Sequence, residues 1–201
     1  MSANQFPHTP LKASCTGLIP SDEQCFELWK KYQMFSNIRQ HSLLVAQIAT
    51  FLAQRAYERN WPVLVQAVRA SALLHDLGKT YAIRFGGNHS QLGAAVVMYE
   101  TKNPALAQAV IHHIYWPGVV DLVGHFMPLS IIYADKRVKH DQIVSLEERF
   151  EDLFDRYGTY EELRAKIKMS FEQAQCIETE LGFRLEVDFH AYPFDRRWLV
   201  Q

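Results

Sequence analysis

Apolar positions recur every three to four residues along most of this chain, the period of helices that bury one face. Phe26, Trp29 and Tyr32, with Leu28 beside them, form the first stripe. Ser21-Asp22-Glu23-Gln24 precedes it as a capping-box sequence with two acids in the first turn. Leu44, Val45, Ile48, Phe51 and Leu52 define a second helix that starts near Asn37, and His41 shares its inward face. Pro62 opens a third, which Val65, Val68, Ala72, Leu73 and Leu74 carry to His75-Asp76. Thr80 to Asn88, with Gly86-Gly87 inside it, reads as a loop. Asn88 caps the next helix, with His89 in its first turn and Leu92, Ala95, Val96 and Tyr99 on its buried face.

Asn103-Pro104 begins a helix whose stripe is Leu106, Ala109, Val110 and His113, and Trp116-Pro117-Gly118 breaks it. His125, in the mixed loop that follows, reads as a surface residue. Pro128 opens another helix through Leu129, Ile131, Ile132, Tyr133 and Ala134 to Asp135. Ser145-Leu146-Glu147-Glu148 and Thr159-Tyr160-Glu161-Glu162 each start a further helix, ended by Gly158 and Gly182. Beyond Gly182, Phe183, Leu185, Val187 and Phe189 alternate with polar residues, as in a short strand or extended arm. The pattern predicts an all-α domain over residues 21–182, an irregular proline-containing arm over 1–20, and an extended tail over 183–201. Phe194 and Trp198 in that tail suit packing on the body or on a second subunit, which leaves room for a homodimer.

Composition narrows the function classes. A chain of 201 residues with 48% hydrophobic residues, 21% charged residues and a net charge of -1 is ordinary for a soluble domain with a substantial core. It lacks the basic footprint of a protein that binds nucleic-acid duplexes, though a small nucleotide in a local pocket needs no such footprint. No apolar run reaches the roughly 18 residues of a membrane span. The first ten residues have neither a basic n-region nor an apolar h-region, and Cys15, Cys25 and Cys176 lack metal-type spacing. The expectation is a protein of the reducing cytoplasm.

The chemistry lies where apolar faces are interrupted: His41, His75, Asp76, His89, His112 or His113, and Asp135. His75 and Asp76 are sequence neighbours, which do not share a helix face. They converge most easily where the helix stops, and Gly78 is a good terminator. A buried carboxylate such as Asp135 is costly without a partner, for which Lys136 or Arg137 is a candidate. As independent core residues these groups would each need a separate partner, whereas one shared metal centre satisfies them together. Imidazole with carboxylate suits Fe, Mn, Ni, Co or Zn better than calcium.

The order His41, His75-Asp76, His89, His113, Asp135 resembles the HD-domain superfamily of metal-dependent phosphohydrolases. Leu73-Leu74-His75-Asp76-Leu77-Gly78-Lys79, Asn88-His89-Ser90-Gln91-Leu92-Gly93-Ala94 and Ile132-Tyr133-Ala134-Asp135-Lys136-Arg137-Val138 carry the resemblance, over about residues 36 to 140. It implies a helical bundle in which His41, His75, Asp76 and Asp135 hold one divalent transition metal. His89 and His113 are the additions of two-metal members, which also implies that His113 rather than His112 is the ligand. Among the branches, the symmetrical dinucleoside tetraphosphate hydrolases look most similar. The cyclic dinucleotide phosphodiesterases of the HD-GYP type carry a Gly-Tyr-Pro where this chain has Ile114-Tyr115-Trp116-Pro117-Gly118.

The resemblance implies a metal-bridging hydroxide, with Asp76 between the metals, that cleaves a phosphoester or phosphoanhydride of a nucleotide-type substrate. Lys79, Arg84, His112, Lys136 and Arg137 are the candidate substrate-facing groups. For Lys79 a catalytic phosphate contact stands beside an ion pair at the helix end. Diiron oxygenases with a similar ligand set, and a non-catalytic metal-binding signalling module, are the alternative classes.

Overall fold

The computed structural model describes residue 11 and residues 17–189. Helix α1 (Asp22–Lys31) begins at the expected capping box, with the Ser21 hydroxyl accepting from the Gln24 N–H and the Gln24 side chain accepting from the Ser21 N–H. Trp29, on its buried face, donates its indole N–H to the Leu73 carbonyl at 2.9 Å. That bond ties α1 to the last turn of α3 (Val65–Leu74), immediately before the His-Asp pair. Between them runs α2 (Ser36–Glu58), whose Val45, Ile48, Ala49 and Leu52 are fully buried. This long helix packs against α3 along one side and α7 (Phe126–Lys136) along another.

Asn88 caps α5 (His89–Thr101) by accepting from the Ser90 and Gln91 N–H groups, and Asn103 caps α6 (Pro104–His112) in the same way. These two helices pack on each other, and α6 closes against α3 and α7. The core therefore lies between α2, α3, α6 and α7, with Leu73, Leu74, Leu106, Leu129, Ile131 and Ile132 fully buried. A two-stranded antiparallel hairpin, β1 (Val138–Lys139) and β2 (Gln142–Ile143), follows α7. Ser145 caps α8 (Leu146–Tyr157), which packs with α9 (Glu161–Leu185) against α7. The architecture is the all-α bundle expected, and no described helix is long and apolar enough to cross a membrane.

The differences are local. Thr80 to Asn88 is not a continuous loop: Lys79–Phe85 forms a short helix, α4, before Gly86 and Gly87 take positive φ values of 83° and 99°. The expected loop failed because its glycines mark only the exit, while Lys79 to Phe85 contains no breaker. Helix α3 starts at Val65 rather than Pro62, and α7 starts two residues before Pro128, which the first turn tolerates. Helix α9 runs through Gly182 to Leu185, and Glu186 in the left-handed region ends it. Phe183 and Leu185 are thus helical rather than strand-like, while Val187 and Phe189 leave the helix and are buried, Phe189 against Tyr133. His125 is half-buried, its ring 4.6 Å from that of Trp116. The expectations for residues 1–10, 12–16 and 190–201 lie outside the described residues.

One close approach positions the candidate centre. A Cβ on Gly78 would lie 2.5 Å from the Gly93 nitrogen and 2.5 Å from the His89 carbonyl oxygen. The α3–α4 turn and the first turn of α5 thus touch backbone to backbone, which brings His89 alongside Asp76. Replacing Gly78 by Ala must push these segments apart, at a cost of about 1–3 kcal/mol or more, as overpacking of a tight contact does. Chemical denaturation of Gly78→Ala should show a lower midpoint; a midpoint equal to the parent's would contradict the close approach.

Candidate metal centre

His75 is the C-cap of α3, and its Nδ1–H donates to the Ala72 carbonyl at 2.7 Å. A carbonyl only accepts, so Nδ1 carries a proton, and Nε2 is the lone pair whenever the ring is neutral. His113, at the C-terminus of α6, repeats the device, with Nδ1 donating to the Val110 carbonyl at 2.7 Å. Two helix ends therefore aim Nε2 atoms at Asp76, which lies 3.5 Å from His75 and 3.6 Å from His113. His89 brings its Nε2 to 3.4 Å from Asp76 Oδ1 and 3.2 Å from His113 Nε2. On the other side, His41 Nε2 is 2.9 Å from Asp135 Oδ1, and His75 Nε2 is 3.7 Å from the same oxygen.

Metal ions fit this arrangement on the structure's own terms. His75 is fully buried and Asp76 is 1% exposed, yet His75 Nε2 and Asp76 Oδ1 have no hydrogen-bond partner. Buried polar atoms are normally paired, and these two point into the same cluster. The ligand atoms of His41, His75 and Asp135 all lie within 4.8 Å of one another, as do those of His75, Asp76 and His113. Borderline imidazoles with carboxylates form a donor set for a divalent transition metal.

The electrostatics agree. Burial alone would push Asp76 upward, but the charges of His75 and Lys79 outweigh it and hold the carboxyl well below the usual range. Burial is likewise outweighed at Asp135, by Lys136 first and then His41. Burial pushes His41 down and His89 down to about 4, leaving both imidazoles neutral near pH 7. His75 shifts upward because Asp76 and Asp135 together overcome its burial. A cation entering this cluster must displace any proton held there, so metal affinity falls with acid.

The substrate candidates divide. Lys79 sits at the centre, its Nζ 2.6 Å from Asp76 Oδ2 and its side chain 39% exposed. Burial would lower its pKa, but Asp76 and Asp135 raise it, so it is an ammonium at neutral pH. Lys136 is buried with its Nζ 2.6 Å from Asp135 Oδ2. The others are not brought there by their contacts. Arg84 donates to Gln33 at 3.2 Å and lies over the Phe35 ring. The His112 ring packs edge-on to Trp116. Arg137 is held by the Val144 carbonyl, Tyr133 and Glu178. His112 precedes the clustered His113 by one position and Arg137 follows the clustered Asp135 by two, and residues one or two apart on a helix do not share a face.

Fold and site together define a helical metal-centre domain with His and Asp donors. The model of the HD-domain family matches residues 38–160, more than half of the chain, and the chain belongs to this family. Its members are in general metal-dependent hydrolases that bind divalent metals. Ribonuclease Y sequences from two strains of Dehalococcoides mccartyi are each 26% identical over 151 residues, which cover 75% of this chain and 27% of theirs. The chain thus spans about a quarter of the length of these curated relatives. No solved structure matches it.

His113→Ala should reduce the divalent metal retained after purification, read by elemental analysis, whereas His112→Ala should not; equal loss in both would contradict the geometry. A pH dependence follows from His89, held at about 4 against a normal 6.5. Its neutral burial stabilises the fold fully above pH 6.5, and this contribution is lost as the pH falls toward 4. In metal-free protein, His89→Gln should therefore lose less stability than the parent across that interval, measured by urea denaturation at successive pH values.

Proposed function

We propose that this centre hydrolyses a phosphoester or phosphoanhydride bond of a nucleotide-type substrate, using two divalent transition metals. The carrying observation is Asp76: a buried carboxylate with one unpartnered oxygen, placed between His75 on one side and His89 and His113 on the other. In this reading His41, His75 and Asp135 would hold one cation and His89 and His113 the other, with Asp76 within reach of both. When bound, such cations supply an activated water and neutralise charge on the phosphoryl group.

The chain's own residues do the rest. The Nδ1–H bonds to Ala72 and Val110 hold His75 and His113 in the metal-binding tautomer and fix their rings. Without metal, His41 Nε2–H donates to Asp135 at 2.9 Å, a proton that a cation held by both residues would displace. Lys79 remains charged, and its half-open side chain lets the ammonium meet a nonbridging phosphate oxygen while staying near Asp76. Water oxygen joins phosphorus and gives up a proton, the bond to the leaving oxygen breaks on the opposite side, and that oxygen ends with a proton, so that one water is added across the bond. The HD-domain match supports this reaction class. The ribonuclease name of the relatives adds phosphodiesters to the candidate bonds.

The test is elemental analysis of purified protein together with a hydrolysis screen over nucleotides, dinucleoside polyphosphates, cyclic dinucleotides and short single-stranded RNA. Asp76→Ala should lose metal and lower turnover by more than the roughly 10–100-fold typical of groups outside the ligand set. Turnover surviving in Asp76→Ala would remove the role assigned to Asp76. A protein that consumes O₂ and releases no phosphate would overturn the hydrolase reading.

A further inference from the structure

Lys136 is a buried lysine to which the proposed reaction gives no task. It is the last residue of α7, its side chain is 7% exposed, and its Nζ lies 2.6 Å from Oδ2 of Asp135, whose own side chain is 10% exposed. Neighbouring residues do not share a helix face, so the flexible stem must fold back to make this contact. Asp76 likewise has a lysine 2.6 Å from its Oδ2, but the Lys79 side chain is 39% exposed and can turn to solvent or substrate. Burial closes that route to Lys136. Exposure thus separates two ammonium groups that the sequence offered alike as phosphate contacts.

The contact divides the oxygens of Asp135. Oδ1 faces the imidazoles, 2.9 Å from His41 Nε2 and 3.7 Å from His75 Nε2, while Oδ2 faces Lys136. A cation held with His41 and His75 would meet Oδ1, and the proton on His41 Nε2 would give way to it. The ammonium need not give way, because it sits on the other oxygen. Asp135 therefore offers one oxygen rather than a chelating pair, and its charge is already balanced. Both effects penalise cations that rely on carboxylate oxygens, such as Mn²⁺, more than cations that bind imidazole well, such as Zn²⁺. His41 and His75 are left as the main attraction of that site.

We propose that Lys136 tunes which metal the centre takes: by holding Asp135 Oδ2 and balancing its charge, it tilts the site of His41, His75 and Asp135 away from oxygen-preferring cations and toward those that prefer imidazole. It is a positioning residue acting through Asp135, not a substrate contact. The proposal rests on the metal-centre reading but on no particular substrate. The probes are Mn²⁺ and Zn²⁺, each titrated at fixed pH into metal-free full-length protein against a competing chelator, with calorimetry counting the ions bound. Lys136→Met keeps the length of the stem and removes the ammonium. It should bind Mn²⁺ about tenfold tighter or more, the worth of one hydrogen bond to a charged group, and should gain less for Zn²⁺. Metal-free Lys136→Met should also unfold at lower urea, because Asp135 is then a buried charge without its counter-ion, and bound metal should restore part of the loss. A lysine that only braces the fold predicts the opposite sign, with both cations bound more weakly. Lys136→Gln keeps a donor for Oδ2 without the charge. Its affinity for Mn²⁺ should fall between those of the parent and Lys136→Met, and it decides the matter if Lys136→Met does not fold. The proposal is overturned if the variant that folds binds Mn²⁺ no tighter than the parent, or if Lys136→Met gains as much for Zn²⁺ as for Mn²⁺. With any substrate found in the screen, a rise in KM with cation preference unmoved would return Lys136 to the substrate. A parent that binds neither cation would remove the metal centre itself, whereas a parent that binds both and a Lys136→Met that gains for neither would remove only the role of Lys136.

Discussion

Asp76 is the constraint around which the molecule is arranged. A carboxylate with 1% exposure has given up its water, and the protein must replace that hydration with positive charge or donors. Lys79 supplies one contact, at 2.6 Å on Oδ2, and Oδ1 is left facing two imidazoles that lie 3.2 Å from each other. Bare imidazole nitrogens facing a carboxylate oxygen make no hydrogen bond unless a proton or a cation comes between them. The ligand cluster is thus an electrostatic problem for which a divalent metal is an economical answer, and this links burial to the HD-domain chemistry.

The bundle solves the associated problem of aim. His75 and His113 sit at the C-terminal ends of α3 and α6, where the last carbonyls lack helical partners. Each ring uses one nitrogen to satisfy such a carbonyl and so presents the other to the centre. His89 enters from the opposite helix polarity, in the first turn of α5, and reaches Asp76 because Gly78 lets backbone meet backbone. His41 and Asp135 come from α2 and α7, helices that pack side by side through the core. The centre inherits rigidity from that packing, since its residues stand on the elements whose apolar faces are most completely buried.

Charges that look alike in the chain do different work in the fold. Lys136 neutralises the buried Asp135, whereas its neighbour Arg137 ties α7 to α9 through Tyr133 and Glu178 and binds the Val144 carbonyl just beyond the hairpin. Arg84 caps the outer face of Phe35. Lys79, whose Nζ lies on Asp76, keeps a side chain that is 39% exposed. Positive charge is therefore graded outward: neutralised at the ligands, structural along α7, and open at Lys79.

Much of this was legible in the chain itself. Capping residues Ser21, Asn88, Asn103 and Ser145 marked helix starts because an N-cap is a local interaction of side chain with nearby backbone. The polar interruptions His41, His75, Asp76, His89 and Asp135 stood out because apolar periodicity makes a charged or basic residue on an inward face conspicuous. What needed the tertiary structure were properties of contacts between distant segments. His113 was singled out over His112 by the resemblance, while the contacts that set the two rings apart, Val110 for His113 and Trp116 for His112, belong to the fold. Helix α4 was hidden because its glycines mark an exit rather than an interior. Arg137 and Arg84 acquired their partners from residues tens of positions away. Local hydrogen bonds and periodicity determine which helices form and which residues face inward. Which inward residues come to share one cavity is decided by packing, because no term acting within a few positions of sequence carries that information.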